Sequence, residues 1–559
     1  MDRILKIFNK ESVSINQAAI LLGLFTLLSQ VLALFRDRSI AHFIGPSASL
    51  DAYYAAFRVP DLIFISVASL ASVTVLIPFV VARMNGDNVT EKAQKYMNDI
   101  FTVFFITIIA VSLVAFFLMP KFILLIAPGF TPIMQGKVIL LSRIMLLSPI
   151  LMGLSSLFGT ITQIFRKFFV YSLSPVLYNI GIIIGVIVLY PLLGIYGMAL
   201  GVILGALMHF GIQAIMAGHL GFAPRFSLSV NFSEIKKAVL TSLPRTLGLA
   251  FNNIALICIV ALASFLKGGS ISIFNFSFNL QSVPLNIIGI SYAVAAFPTL
   301  AKSFSSGKMD EFKGHIRSAA RSIIFWALPV TFLFIVLRAQ IVRVILGSGN
   351  FTWDNTRLVA ASLAIFSVSI IAQGMTALLS RAYYAKGDTK RPLSVNFLCS
   401  ILIIILSFVF IHLFENVPMV RYFIESLLKV TDVPGTEVLM LPLAYSVGTI
   451  LNFILHWFFV KRDFMGGEVF ISRTFFQSLG ASFFTGFAAY LGLNILSPIL
   501  GTNTFLGIFL QGFISGIFGI LVGILILYLL KNEELKDIVA TLKTKFWQTK
   551  ITAPDQEEL

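Results

Sequence analysis

Residues Ser29–Pro60 read SQVLALFRDRSIAHFIGPSASLDAYYAAFRVP. An apolar helix runs into Arg36-Asp37-Arg38, the chain turns at Gly45-Pro46, and a second apolar helix starts at Asp51 and carries Arg58 and Pro60. A charge inside a long apolar helix is costly, so each one marks a functional site unless it snorkels to the headgroups. The rest of the chain reads as a helical shell around charges of this kind.

The 559 residues are 58% hydrophobic and only 12% charged, more apolar surface than a soluble domain can bury. Runs of about 18 or more mostly apolar residues recur along the chain, each long enough to cross about 30 Å of hydrocarbon. Alternating segments of roughly ten residues, as in a transmembrane barrel, are absent. The fold class is therefore an all-α polytopic membrane protein with about fourteen transmembrane helices. Expected span centres are Phe25, Val67, Ile108, Ile150, Ile183, Leu204, Ala255, Ile290, Thr331, Val368, Ile404, Ile450, Phe484 and Gly519. The first apolar run has no small-residue cleavage site after it and reads as a retained span. Cys258 and Cys399 lie in apolar runs and read as small buried hydrophobes.

A net charge of +16 would suit a nucleic-acid partner in a soluble protein. Here the basic residues gather in alternate loops: Arg83, Lys92 and Lys95; Arg166 and Lys167; Arg225, Lys236 and Lys237; Lys302 to Arg321; Arg381 to Arg391; Lys461, Arg462 and Arg473. The intervening loops are poorer, with exceptions such as Lys121, Lys267 and Arg338. This bias places both termini in the cytoplasm and leaves nucleic acid without a role. The tail from Lys531, KNEELKDIVATLKTKFWQTK, reads as a basic amphipathic helix held by anionic membrane lipid, with a solvated tail as the alternative.

An internal repeat divides the chain. Pro60 and Pro78 in the second span match Pro284 and Pro298 in the eighth. Gly153 then Tyr171 follows the fourth span, and Gly374 then Pro392 follows the tenth at the same interval. Two six-helix lobes plus two C-terminal helices follow, a plan common among transporters, with the substrate site between repeats. The divisions are a tail over 1–15, an N-lobe over 16–222, a C-lobe over 223–465, two further spans over 466–531 and a basic tail over 532–559.

The candidate substrate-binding residues follow from cost. Arg36 and Asp37 point about 100° apart on a helix, so Arg36 can face a cavity while its neighbour pairs sideways. Asp51 suits an N-cap unless it pairs with Arg36 or Arg58. Arg58 precedes Pro60, which removes a backbone hydrogen bond and can hinge the helix; Pro284 is the matching hinge. Arg245, in SLPRTLG, could meet a phosphate or simply obey the inside-positive bias. Asn252, Asn253, Asn275, Asn279 and Gln281 either glue helices or line a wet cavity. No HExxH, GxxxxGK[ST] or GxSxG occurs, so no enzyme, metal or cofactor is expected.

Several motifs carry a family likeness: SQVLALFRD with FIGPSASLDAYYAAFRVPDL, SPVLYNI (Ser174–Ile180), LPRTLG with ALASFL (Leu243–Leu266), FPTLAKSFSSGKMDEF (Phe297–Phe312) and RAYYAKGDTKRP (Arg381–Pro392). They resemble the MurJ/MviN lipid II flippase family, in the multidrug/oligosaccharidyl-lipid/polysaccharide exporter (MOP) superfamily. That resemblance implies a bacterial inner-membrane protein that moves undecaprenyl-pyrophosphate-linked disaccharide-pentapeptide from inner to outer leaflet, with cell-wall synthesis proteins as partners. It implies a cavity arginine and aspartate at Arg36 and Asp37, an aspartate at Asp51 and a basic position at Arg58. The chain departs from the family at Gln30, Phe64, Ile65 and Asn279, where arginines are usual, and at Ile259, where some members have an apparent sodium-binding aspartate. Competing readings are a flippase for another lipid-linked oligosaccharide, a drug/cation antiporter of the same superfamily, and a non-transporting scaffold.

Overall fold

The computed structural model describes residues 15–68, 73–84, 89–466, 472–501 and 504–547. Among the described residues all regular structure is helical. The long elements are α1 (Ile15–Phe43), α2 (Ala48–Ala56), α3 (Arg58–Ile63), α4 (Glu91–Ile126), α5 (Pro132–Met145), α6 (Leu147–Ile164), α7 (Phe168–Ile184), α8 (Ile195–His219), α9 (Phe232–Ala263) and α10 (Ser270–Pro284). They continue as α11 (Ser291–Ser305), α12 (Met309–Val336), α13 (Trp353–Val368), α14 (Ile370–Ala385), α15 (Lys390–Asn416), α16 (Met440–Asp463), α17 (Ser472–Leu500), α18 (Phe505–Leu529) and α19 (Glu533–Trp547).

By length and composition, 11 helices of the described residues could cross a membrane, or 12 if α13 and α14, bent by 41° at their junction, form one span. The expected fourteen are not reached by this measure. Every expected centre except Phe25 and Val67 falls in one of these spans. Phe25 lies in α1, which is 29 residues long. Val67 lies in a chain that is broken rather than continuous: α2, a turn at Phe57, α3, then a π-helical turn over Phe64–Ala68. Pro60 sits inside this broken stretch. Pro284 ends α10 and is likewise followed by a π-helical turn, Leu285–Ile290. Wide turns of this kind are rare and occur mostly where a helix serves a function.

Packing separates the chain into two units: Met1–Val283 with Val342–Phe366 and Asp388–Asn452, and Pro284–Ile341 with Ser367–Gly387 and Phe453–Leu559. In the second unit α17 packs on α18 and α12, and α11 packs on α14. Its core includes Phe312, Ile316, Ile323, Met375, Leu379 and Tyr383.

In the first unit α1 packs on α7, α7 on α8, and α8 on α6. The α7–α8 contact is backbone against backbone. Gly181 on α7 and Gly185, which opens the π-helical turn Gly185–Leu189 that continues it, face Gly205 and Gly201 on α8, and a Cβ at Gly185 would come within 2.5 Å of the Gly201 Cα. Lipid tails give no hydrophobic reason for helices to associate, so close van der Waals contact through small residues takes its place. The turn between α1 and α2 needs Gly45 at φ +65°, and Asn350 straps it by donating from Nδ2 to Phe43 O at 2.7 Å and from its amide to His42 O at 2.9 Å.

Asp51 does not cap its own helix. Ser47 does, accepting from the Leu50 amide at 3.3 Å. The buried Asp51 carboxylate reaches the start of α10 instead. Oδ2 accepts from the Gly269 amide at 2.6 Å, and Oδ1 accepts from the Ser272 amide at 2.8 Å and the Ser272 hydroxyl at 2.6 Å. An anion at the positive end of a helix, satisfied by three donors, fixes where α10 begins.

Two outcomes follow for purified protein in detergent. Asp51→Ala leaves the α10 amides unpaired and lowers stability by about 2–4 kcal/mol, read as a large drop in unfolding temperature. Gly201→Leu forces α7 and α8 apart and costs about 3 kcal/mol or more, whereas the same change at Gly211, which has no neighbour within 4 Å, is tolerated.

Candidate functional site

Four elements of the first unit bring charged and amide side chains to one chamber of about 230 Å³. α1 supplies Arg36 and Asp37, α2 supplies Tyr53 and Tyr54, α3 supplies Arg58 and Asp61, and α10 supplies Asn275 and Asn279. Tyr178 of α7 also lines it.

Arg36 grips Asp37 twice, donating from Nε at 2.9 Å and Nη2 at 2.8 Å to the same oxygen, Oδ1. Its Nη1 donates to Asn179 Oδ1 at 3.2 Å. Asn179 in turn donates from Nδ2 to Ser29 Oγ at 3.2 Å. The other Asp37 oxygen accepts from Asn279 Nδ2 at 3.0 Å. The pair is therefore shared among α1, α7 and α10, and both carboxylate oxygens are engaged. An ion pair removed from water must be satisfied in this way to be tolerated.

Arg58 is held differently. Its Nη2 donates to Asn275 Oδ1 at 2.9 Å, and its Nε is buried with no hydrogen-bond partner. Asn275 is one turn before Asn279 on α10, so a single helical face steadies both arginine systems. Asp61, one turn after Arg58, lines the same chamber without an ion-pair contact to it.

A guanidinium carries five N–H donors. Arg36 has an N–H to spare on each of Nη1 and Nη2, and Arg58 keeps Nε and Nη1. The Tyr54 hydroxyl is also buried without a partner. The chamber is thus lined by two guanidiniums with N–H groups beyond those already donated, which suits an anionic group with several acceptor oxygens. Two arginines and two aspartates balance formally, so an entering anion meets fixed dipoles and spare N–H groups rather than a strong net charge.

The other candidates separate. Arg38 points away and donates from Nη1 to Val344 O at 2.6 Å and Ile345 O at 3.3 Å, capping the end of a short helix. Asp51 lies outside the chamber lining, occupied at the start of α10. Arg245 belongs to α9, but its side chain is outside the described residues. Of the positions that depart from the family, Asn279 is in the chamber, Ile259 is fully buried on α9, and Phe64 and Ile65 begin the π-helical turn. Sequence reading missed Asp61, Tyr53, Tyr54, Tyr178 and Asn179. Asp61 had a signal, since a carboxylate three residues after an arginine shares its helical face; the rest are assembled only by tertiary packing. Among the described residues no group of three or more His, Cys, Asp or Glu could hold a metal ion.

Comparison with known proteins agrees with this architecture. A relative from Aquifex aeolicus named "Probable lipid II flippase MurJ" is 26% identical over 510 residues, covering 89% of this chain and 98% of the relative. One of the same name from Borreliella burgdorferi is 25% identical over 501 residues, covering 86% and 97%. A solved structure titled "Lipid II flippase MurJ, inward closed conformation" superposes with a TM-score of 0.72 at 21% identity, covering 93% of this chain and 100% of that one. An inward-facing multidrug transporter of the MATE family and MOP superfamily superposes at 0.63 and 15% identity, covering 80% and 98%. The family model described as lipid II flippase MurJ matches residues 40–511. The chain belongs to the MurJ lipid II flippase family.

Proposed function

We propose that this chain carries lipid II, the polyprenyl-diphosphate-linked disaccharide-pentapeptide, from the inner to the outer leaflet of the bacterial inner membrane by alternating access. The observation that carries the reading is the chamber, lined by two guanidiniums, Arg36 and Arg58, each with more N–H groups than it donates to the protein. In a low-dielectric setting such donors grip a diphosphate strongly, while a neutral headgroup gains much less. A chamber of about 230 Å³ is below the usual range for a whole small-molecule site. It suits the diphosphate end of the headgroup, and the disaccharide-pentapeptide requires it to widen.

The two lobes, 16–222 and 223–465, supply the alternation, with Pro60 and Pro284 as bending points where regular helix gives way to a π turn. Both termini lie in the cytoplasm, consistent with the lysine- and arginine-rich alternate loops. α19 rests on anionic lipid, and cell-wall synthesis proteins are the natural neighbours that supply and consume the substrate. No chemical step is required of the protein. Inside-negative potential favours outward movement of the anionic headgroup, at about 2.3 kcal/mol per charge per 100 mV for a full crossing.

Arg36→Ala and Arg58→Ala are each expected to abolish complementation of a flippase-depleted bacterium while the protein accumulates normally in the membrane. Arg58→Lys keeps the charge and loses the planar fork, so it rescues partially. Full rescue by both alanine variants removes the diphosphate clamp. In reconstituted vesicles, the wild type moves labelled lipid II to the outer leaflet, and lipid II with its diphosphate replaced by a neutral linker is moved at least tenfold more slowly.

A further inference from the structure

Beside the chamber lies a second cavity of about 190 Å³. The two share Phe57, Asp61 and Tyr178, so they meet along α3 and α7. The second cavity holds no arginine. Its polar groups are the Asp61 carboxylate and the hydroxyls of Tyr178 and Ser148, and its walls include the rings of Phe57 and Phe64. Asp61 makes no side-chain hydrogen bond or ion pair among the described residues, in contrast to Asp37 and Asp51, whose oxygens are all engaged. Asp61 is only partly buried, and its acceptor oxygens open onto the cavity with no protein donor on them, so a ligand that brings donors is matched to this position.

The chemistry is that of a sugar ring. A pyranose presents hydroxyl and amide N–H donors at its rim and apolar C–H surfaces on its faces. An acceptor-only carboxylate flanked by hydroxyls matches the rim, and aromatic walls match the faces. A bare cation would leave the apolar walls unused. At about 190 Å³ the cavity is smaller than the chamber beside it, which favours one ring over a disaccharide. We infer that this cavity is a sugar subsite, in which Asp61 and Tyr178 receive the pyranose bonded directly to the diphosphate while Arg36 and Arg58 hold the diphosphate itself. The inference rests on the reading of the chain as a carrier of a lipid-linked sugar diphosphate. It makes Asp61 a specificity-determining residue.

The test compares two chemically defined lipids, undecaprenyl diphosphate and undecaprenyl diphosphate bearing one N-acetylglucosamine. Dissociation constants are measured for the full chain in phosphatidylcholine nanodiscs. The wild type is expected to bind the sugar-bearing lipid roughly 10- to 100-fold more tightly, the scale of hydrogen bonds to a charged acceptor. Asp61→Ala brings the ratio close to one, and Asp61→Asn, which keeps the shape and one carbonyl acceptor, lies between. Arg58→Ala weakens both lipids and preserves the ratio. If Asp61→Ala fails to fold, Asp61→Asn decides, because an unchanged ratio there overturns the subsite. Equal binding of the two lipids by the wild type also overturns it and leaves the flippase reading standing. Failure to bind either lipid while lipid II itself is bound overturns the subsite alone, and failure to bind lipid II as well removes both.

Discussion

A guanidinium within apolar helices is tolerable only if its charge and its N–H groups are answered on the spot, and Arg36 is the place where this chain meets that demand. Asp37 supplies the opposite charge from the next position in sequence, at 2.8 Å. Adjacency alone would leave the pair half satisfied. Asn179 from α7 and Asn279 from α10 complete it, so the same bonds that neutralise the arginine also locate three helices. Breaking a buried pair on one side is far more damaging than never having had it. The geometry of the first unit around its chamber follows from that constraint, and the Asp51 tether at the head of α10 holds the asparagine-bearing face in register.

Much of this was legible in the sequence, for identifiable reasons. Long apolar runs announce spans, and arginines inside them announce a site, because both are consequences of local composition. Arg36, Asp37, Arg58 and Asn279 were singled out on that ground and share the chamber. Asp51 was expected to cap its own helix or bind substrate. Its actual partners, Gly269 and Ser272, lie far along the chain, and no local pattern reveals them. Arg38, two positions after Arg36, faces the other way, toward the carbonyls of Val344 and Ile345. Pro60 signals a hinge in the second span, but the π turn over Phe64–Ala68 leaves no mark in hydropathy.

The departures from the family acquire physical sense in this setting. At Asn279 an amide stands where the resemblance implies an arginine. A further cation there would have competed with Arg36 for Asp37, whereas the amide donates to the remaining carboxylate oxygen at 3.0 Å and leaves the balance of charges even. Phe64 and Ile65 are apolar where the resemblance implies arginines, and they open the wide turn that follows Asp61.

The glycine seam between α7 and α8 has a mechanical meaning. Two helices whose backbones touch have no side chains between them to change rotamer, so the seam cannot slide or swell by small adjustments. When the bilayer thins or thickens, or when cargo pushes outward from within, this pair behaves as a stiff post. The interrupted stretch from α2 through the turn at Phe64–Ala68, which has more breaks than the seam, is built with the joints to yield.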